Sequence, residues 1–160
     1  MTIDEMTRRD WPAAAEIYAE GIATGSATFE TEVPTWGRFD ATHLPAPRPV
    51  VREDGRVVAW AAVARVSDRE VFAGRVECSL YVGAAARGGG IGEALMAELV
   101  ARCDAAGIWT MEATVLPENA ASVAMLEANG FRVVGRRERI ARRDGRWRDA
   151  LLLERRGPVA

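Results

Sequence analysis

Lysine is absent from this chain of 160 residues, so all 21 of its basic side chains are arginines. That excludes a lysine nucleophile, and it excludes a nucleotide-binding P-loop, which needs Gly-Lys followed by Ser or Thr. Cysteine is scarce too. Cys78 and Cys103 fit neither a disulfide framework nor a metal site and read as small buried hydrophobes, which points to a reducing, cytoplasmic setting. Histidine occurs once, and His43 reads as a surface loop residue. No apolar run approaches the roughly 20 residues that a membrane helix needs, and the N-terminus lacks the basic-then-apolar pattern of a signal peptide. The expectation is a soluble protein with no membrane partner and no metal.

The hydrophobic content of 49% over this length supports one domain, residues 1–160, with a real core. A formal net charge of -2 conceals an uneven distribution, because arginines crowd residues 132–156 while acidic residues lead in the first third. With a pI of about 5.6 and no aromatic-basic interleave, the basic tail reads as a solvated face and no nucleic-acid partner is expected.

Periodicity and turn chemistry divide the chain into elements. Residues 2–6 form a short strand, after which Asp10 caps a helix with Pro12 in its first turn and Ala14, Ile17, Tyr18, Gly21 and Ile22 as the buried stripe. A polar loop over residues 24–32 precedes a second helix starting near Pro34 or Thr35. That loop is either a connector or a fold over a substrate site. Residues 50–53 and 56–66 flank Asp54-Gly55, a two-residue hairpin signal, and the second of these strands is apolar enough to be buried on both faces. Residues 71–82 make a fourth strand, with Val76, Cys78, Leu80 and Val82 on one face and Glu77, Ser79 and Tyr81 on the other. A helix runs from Ile91 to about Cys103, and the strand at 109–115 then lies parallel to the fourth through a right-handed crossover. Asn119 caps a further helix that ends at Asn129-Gly130, and two strands joined at Asp144-Gly145 close the chain. The fold class is α/β: a single mixed sheet of about seven strands with helices on its faces.

Between the fourth strand and its helix stands Arg87-Gly88-Gly89-Gly90-Ile91-Gly92. Glycines let consecutive backbone N–H groups converge on an anion, and the following helix adds its positive N-terminal dipole. This is a pyrophosphate cradle. A dinucleotide-binding fold would place such a turn after the first strand, which counts against that reading.

Arg87, Gly90 and Gly92 match the Arg/Gln-x-x-Gly-x-Gly/Ala loop of the GNAT superfamily of N-acetyltransferases, and the chain resembles that superfamily over nearly its whole length. The resemblance extends to residues 117–122 (Pro-Glu-Asn-Ala-Ala-Ser) followed by residues 127–131 (Glu-Ala-Asn-Gly-Phe). Within the superfamily the chain is similar to the phosphinothricin and methionine sulfoximine acetyltransferase branch. Three stretches carry this: Ser-Ala-Thr-Phe-Glu-Thr-Glu at 26–32, Glu-Cys-Ser-Leu-Tyr-Val at 77–82 and Gly-Arg-Trp-Arg-Asp at 145–149.

The resemblance implies a mostly antiparallel twisted sheet and acetyl-CoA as cosubstrate. It places the cofactor on Leu80, Tyr81, Val82, Arg87, Gly88, Gly89, Gly90, Ile91, Gly92, Asn119 and Ser122. It places a small amino acid or toxic analogue on Thr28, Phe29, Glu30, Arg69, Phe72 and Glu77, with a homodimer as the assembly. Transfer is direct: an uncharged amine attacks the thioester, a backbone N–H of the fourth strand holds the oxyanion, and Glu77 takes the ammonium proton through water. Glu77 otherwise reads as a solvent-facing strand residue and Arg69 as an ordinary turn arginine. Trp60 and Trp147 read either as core or as pocket lining.

Two positions depart from the branch. Leu126 stands where a tyrosine or histidine precedes the glutamate matched by Glu127, so the leaving thiolate lacks that proton donor. Phe72 stands where a tyrosine often occurs. An acyl-CoA-binding module with little turnover, and an acetyltransferase of a protein N-terminus or a polyamine, are the alternatives.

Overall fold

The computed structural model describes residues 1–158; residues 159 and 160, at the end of the expected domain, lie outside the described residues. The elements are β1 (Thr2–Glu5), α1 (Trp11–Thr24), α2 (Trp36–Thr42), β2 (Pro49–Glu53), β3 (Arg56–Arg65), β4 (Arg75–Val82), α3 (Ile91–Ala105), β5 (Thr110–Val115), α4 (Ala120–Ala128), β6 (Arg132–Arg143) and β7 (Arg146–Arg156). They build one seven-stranded sheet in the order β1-β2-β3-β4-β5-β7-β6. Every neighbouring pair is antiparallel except β4 and β5, which α3 joins as a crossover.

Alternation along the central strands separates two cores. Val51, Ala59, Ala61, Val63, Val76 and Cys78 face α3 and α4, whereas Val50, Trp60 and Ala62 face α1 and α2. Trp60 is core, with 1% of its surface exposed. Its indole N–H donates to the Ala14 carbonyl at 3.0 Å, and its ring meets Tyr18, Phe39 and Tyr81. Trp147 is exposed, beneath the Arg142 guanidinium.

The structure corrects two local expectations. The fourth strand begins at Arg75, because residues 70–72 form a 3-10 turn. Gly74 sets the start: its carbonyl accepts from the N–H groups of both Trp109 and Thr110, and a Cβ there would lie 2.1 Å from the Trp109 ring. The helix expected to be capped by Asp10 is preceded by a 3-10 turn at 8–10, and Asp10 makes no side-chain cap bond to it. Its carboxylate instead accepts from the Thr7 N–H at 2.8 Å and, in fork geometry, from Arg52 of β2 at 2.8 and 2.9 Å.

Arg52, ahead of the opposing effect of burial, holds the Asp10 carboxyl below its ordinary range. A depressed folded-state pKa stabilises the protein above the unfolded aspartate value of about 4, and that stability fades as pH falls through the lower folded value. Asp10→Asn is therefore expected to cost about 2 kcal/mol at neutral pH. Urea unfolding should show the gap between wild type and variant closing in acid; a gap independent of pH would remove the ion pair as its cause.

Candidate active site

β4 and β5 are paired only over residues 75–77 and 110–112. Beyond that point β4 stays bonded to β3 as far as Val82, and β5 stays bonded to β7 as far as Val115. Each strand keeps its outer partner, so the sheet opens between them. The Gly83 N–H donates to the Val58 carbonyl and the Val66 N–H to the Arg75 carbonyl, which fixes the alternation of the ladder. Odd-numbered residues of β4 bond to β3; the Cys78 N–H closes the last β5 bond and the Val82 carbonyl accepts from Arg87, so the Cys78 carbonyl, both backbone groups of Leu80 and the Val82 N–H face the opening. The result is an internal strand edge able to bond an extended, amide-bearing ligand.

At the end of β4 the glycine-rich turn leads into α3. Gly88 and Gly90 have φ of +84° and +80°, left-handed values that side chains rarely adopt, and Gly90 is the N-cap of α3. The first-turn N–H groups of a helix have no intrahelical partners, so here they point outward from a positive dipole end. Gly92 has a different task. A Cβ there would lie 3.3 Å from Val82 and 3.4 Å from the Met125 sulfur, so its absence lets α3 approach β4 and α4 closely. Arg87 donates through Nε to the Val82 carbonyl at 3.1 Å, bracing the loop against the strand end. The Asn119 side chain accepts from the Ser122 N–H at 3.2 Å as the cap of α4.

A cavity of about 730 Å³ spans the opening. Its walls are Glu77, Cys78, Ser79, Leu80 and Tyr81 of β4, Ala113, Thr114 and Val115 of β5, Ser122, Met125 and Leu126 of α4, and residues 27–34 of the early loop. Thr28, Phe29, Glu30 and Glu77 thus share one space. That loop is tied to the C-terminal hairpin: Arg143 donates to the carbonyls of Thr28 and Ile22, and Arg148 to the carbonyl of Gly25 while pairing with Glu118.

Arg69 and Phe72 do not line this cavity. Phe72 sits in the 3-10 turn with the guanidinium groups of Arg69 and Arg75 over its ring, at 5.5 and 5.3 Å. Arg38, Thr42 and His43 line the cavity, although the first two carry no motif and His43 reads as a surface loop residue in sequence. Arg38 and Thr42 stand four residues apart on one face of α2, which is the one available signal, and His43 is the extended residue that ends it. His43 is no free surface residue: it stacks on Phe39 at 4.1 Å, and burial, before any other cause, lowers its pKa and favours the neutral ring.

The cavity is electrostatically uneven. Glu30, Glu32 and Glu77 line it, with Arg38 the one arginine among the described lining residues. Crowding by the protein raises the Glu77 pKa first, and the carboxylates of Glu112 and Glu30 raise it further, although its side chain stays open to the cavity. Tyr18 and Tyr81 stack at 4.8 Å, and burial raises both phenols. Burial also pushes the thiols of Cys78 and Cys103 to about 12, so neither is a nucleophile. Leu126 is buried against the cavity, and Ser122 is the one hydroxyl that the described part of α4 contributes to the lining. Among the described residues, no three His, Cys, Asp or Glu side chains are grouped to hold a metal ion, and no helix is long and apolar enough to cross a membrane.

A sheet opened between parallel neighbours, with a glycine-entered helix at the mouth of the opening, is the architecture of an acyl-CoA-dependent acyltransferase. The chain belongs to the Acetyltransferase (GNAT) family, whose model matches residues 5–131. It is 32% identical to the phosphinothricin N-acetyltransferase of Alcaligenes faecalis, over 91% of this chain and 77% of that protein. It is 31% identical to the L-methionine sulfoximine/L-methionine sulfone acetyltransferase of Pseudomonas paraeruginosa, over 91% of this chain and 88% of the relative. A GNAT superfamily phosphinothricin acetyltransferase from Sinorhizobium meliloti, solved in complex with AcCoA, superposes with a TM-score of 0.87 at 32% identity, covering 98% of this chain and 88% of that one.

Proposed function

We propose that this chain is an N-acetyltransferase that moves acetyl from acetyl-CoA to the α-amine of a small amino acid or toxic analogue, of the phosphinothricin, methionine sulfoximine or methionine sulfone type. The observation that carries this reading is the opening between β4 and β5, which sets an unpaired strand edge and Glu77 beside one cavity. The names of the relatives supply the acceptor class.

In this reading the N–H groups of the Arg87–Gly92 turn and of the first turn of α3 receive the pyrophosphate of acetyl-CoA. The β4 edge at Cys78, Leu80 and Val82 receives the amide groups of its arm and turns an N–H towards the thioester oxygen. Glu77 accepts a proton from the substrate ammonium through water. The freed lone pair forms the new C–N bond, the carbonyl oxygen carries the negative charge against a β4 N–H, and collapse breaks the C–S bond. The nitrogen's second proton leaves to solvent as the amide forms, and solvent returns a proton to the thiolate, since Leu126 has none to give. Thr28, Phe29 and Glu30 surround the acceptor, and Arg38, which lines the cavity where Arg69 does not, takes its carboxylate.

Residues 1–160 work as one domain, in the cytoplasm and as a homodimer. The buried free thiols fit a reducing compartment. The edge strand β6 leaves Val133, Val134 and Ile140 exposed, a surface suited to a second copy.

Thiol release from acetyl-CoA is expected with methionine sulfone, methionine sulfoximine or phosphinothricin, from a protein that runs in light scattering at twice its 17.4 kDa chain mass. Binding of acetyl-CoA without release for any of them would make the protein an acyl-CoA-binding module. Turnover confined to spermidine or to a peptide N-terminus would replace the acceptor.

A further inference from the structure

Glu112 of β5 lies directly across from Glu77, and Glu154 of β7 lies directly across from Glu112. Paired positions on neighbouring strands project from the same face at a spacing of about 4.8 Å, so three carboxylates stand abreast across the sheet, starting at the cavity. Like charges side by side are unfavourable and call for compensation. Two of the three have it. Arg75 donates through Nε and Nη2 to both oxygens of Glu112, whose side chain is 11% exposed, and Glu154 pairs with Arg156 and Arg132. Glu77 forms no ion pair among the described residues.

The Arg75 fork fixes the Glu112 carboxylate in place beside Glu77. Arg75 stands two positions from Glu77 along β4 and turns its guanidinium onto Glu112; Glu112 and Glu30 are the charges that act on Glu77. The other groups facing Glu77 do not reverse this. Glu30 of the loop acts in the same direction as Glu112, Glu32 and the opposite charge of Arg38 line the same cavity, and His43, Tyr18 and Tyr81 are held neutral. Glu154 lies a strand further away and is paired.

We infer that Glu112, held in place by Arg75, is a positioning residue whose carboxylate, abreast of Glu77, makes Glu77 a stronger base towards the substrate ammonium. This rests on Glu77 being the base. The position of the Glu77 carboxyl above its ordinary range agrees in direction, with Glu112 the leading charge after burial.

The test is a carbon-13 NMR titration of the Glu77 side-chain carboxyl, assigned by its loss in Glu77→Gln, alongside the pH profile of kcat/KM. In Glu112→Gln the Glu77 midpoint is expected to fall by about one pH unit, the order of effect of a neighbouring like charge. The acid limb of kcat/KM should fall with it, and Glu112→Asp should recover part of both. Should Glu112→Gln fail to fold, Glu112→Thr, a residue suited to strands, carries the same expectation. An unmoved Glu77 midpoint in a folded variant overturns the inference, even if the variant melts at lower temperature. The titration decides this with or without turnover. A midpoint that moves while the acid limb stays fixed overturns Glu77 as the base and leaves Glu112 acting on a group outside the reaction.

Discussion

Glu77→Gln is expected to lower kcat roughly 100- to 1,000-fold while leaving the dissociation constant of acetyl-CoA unchanged. The amide keeps the size and hydrogen bonding of the side chain but cannot take a proton. Glu77 lines the cavity opposite Thr28, Phe29 and Glu30, and no part of the Arg87–Gly92 turn shares its side of the opening. Its raised pKa brings its basicity closer to that of the amine it must relieve. Stopped-flow thiol release and calorimetric titration of acetyl-CoA check the two halves separately. A variant that lost cofactor affinity along with turnover would move Glu77 out of the acceptor half of the site.

Gly90→Val is expected to do the reverse, raising the KM for acetyl-CoA by tenfold or more while changing kcat at saturation far less. The cause is backbone conformation and not bulk: a Cβ at Gly90 meets no atom within 4 Å, but its φ of +80° is one a β-branched residue avoids. The left-handed region costs an L residue about 1–2 kcal/mol, and tenfold in affinity corresponds to about 1.4 kcal/mol. Valine would swing the helix entrance into ordinary φ and turn the N–H groups away from the pyrophosphate. Asparagine tolerates left-handed backbone, so Gly90→Asn should fall between wild type and valine. Equal losses in KM and kcat for Gly90→Val would undo the division of roles between turn and glutamate.

Features set by local chemistry were legible in the residues alone. Asp54-Gly55 takes positive φ at both positions, as its hairpin requires, and Asn129-Gly130 ends α4 where it was expected to. The alternation of residues 76–82 sorts side chains between the two cores as read, with Cys78 among the buried ones. What escaped depends on contacts distant in the chain. The early end of β4 pairing is invisible locally, because β4 and β5 are separated by α3 and part only where each prefers its outer neighbour. Arg69 precedes the 3-10 turn at residues 70–72 and is not among the residues that line the cavity. His43 looked like a loop residue because nothing in sequence announces that α2 stacks it on Phe39 at the cavity wall. The abreast register of Glu77 and Glu112 likewise exists only once the parallel pair has formed.

The arginine clasp between the C-terminal hairpin and the early loop divides the labour of the chain. In the function proposed above, residues 75–128, from β4 through α4, meet the acyl donor, and the wall facing the acceptor comes from the first 43 residues, held by Arg143 and Arg148. Donor chemistry is common to every reaction of this kind, and acceptor identity is what varies. Because the two are written in separate stretches, exchanges within the loop and α2 can redirect the enzyme to a different amine while the thioester machinery stays intact.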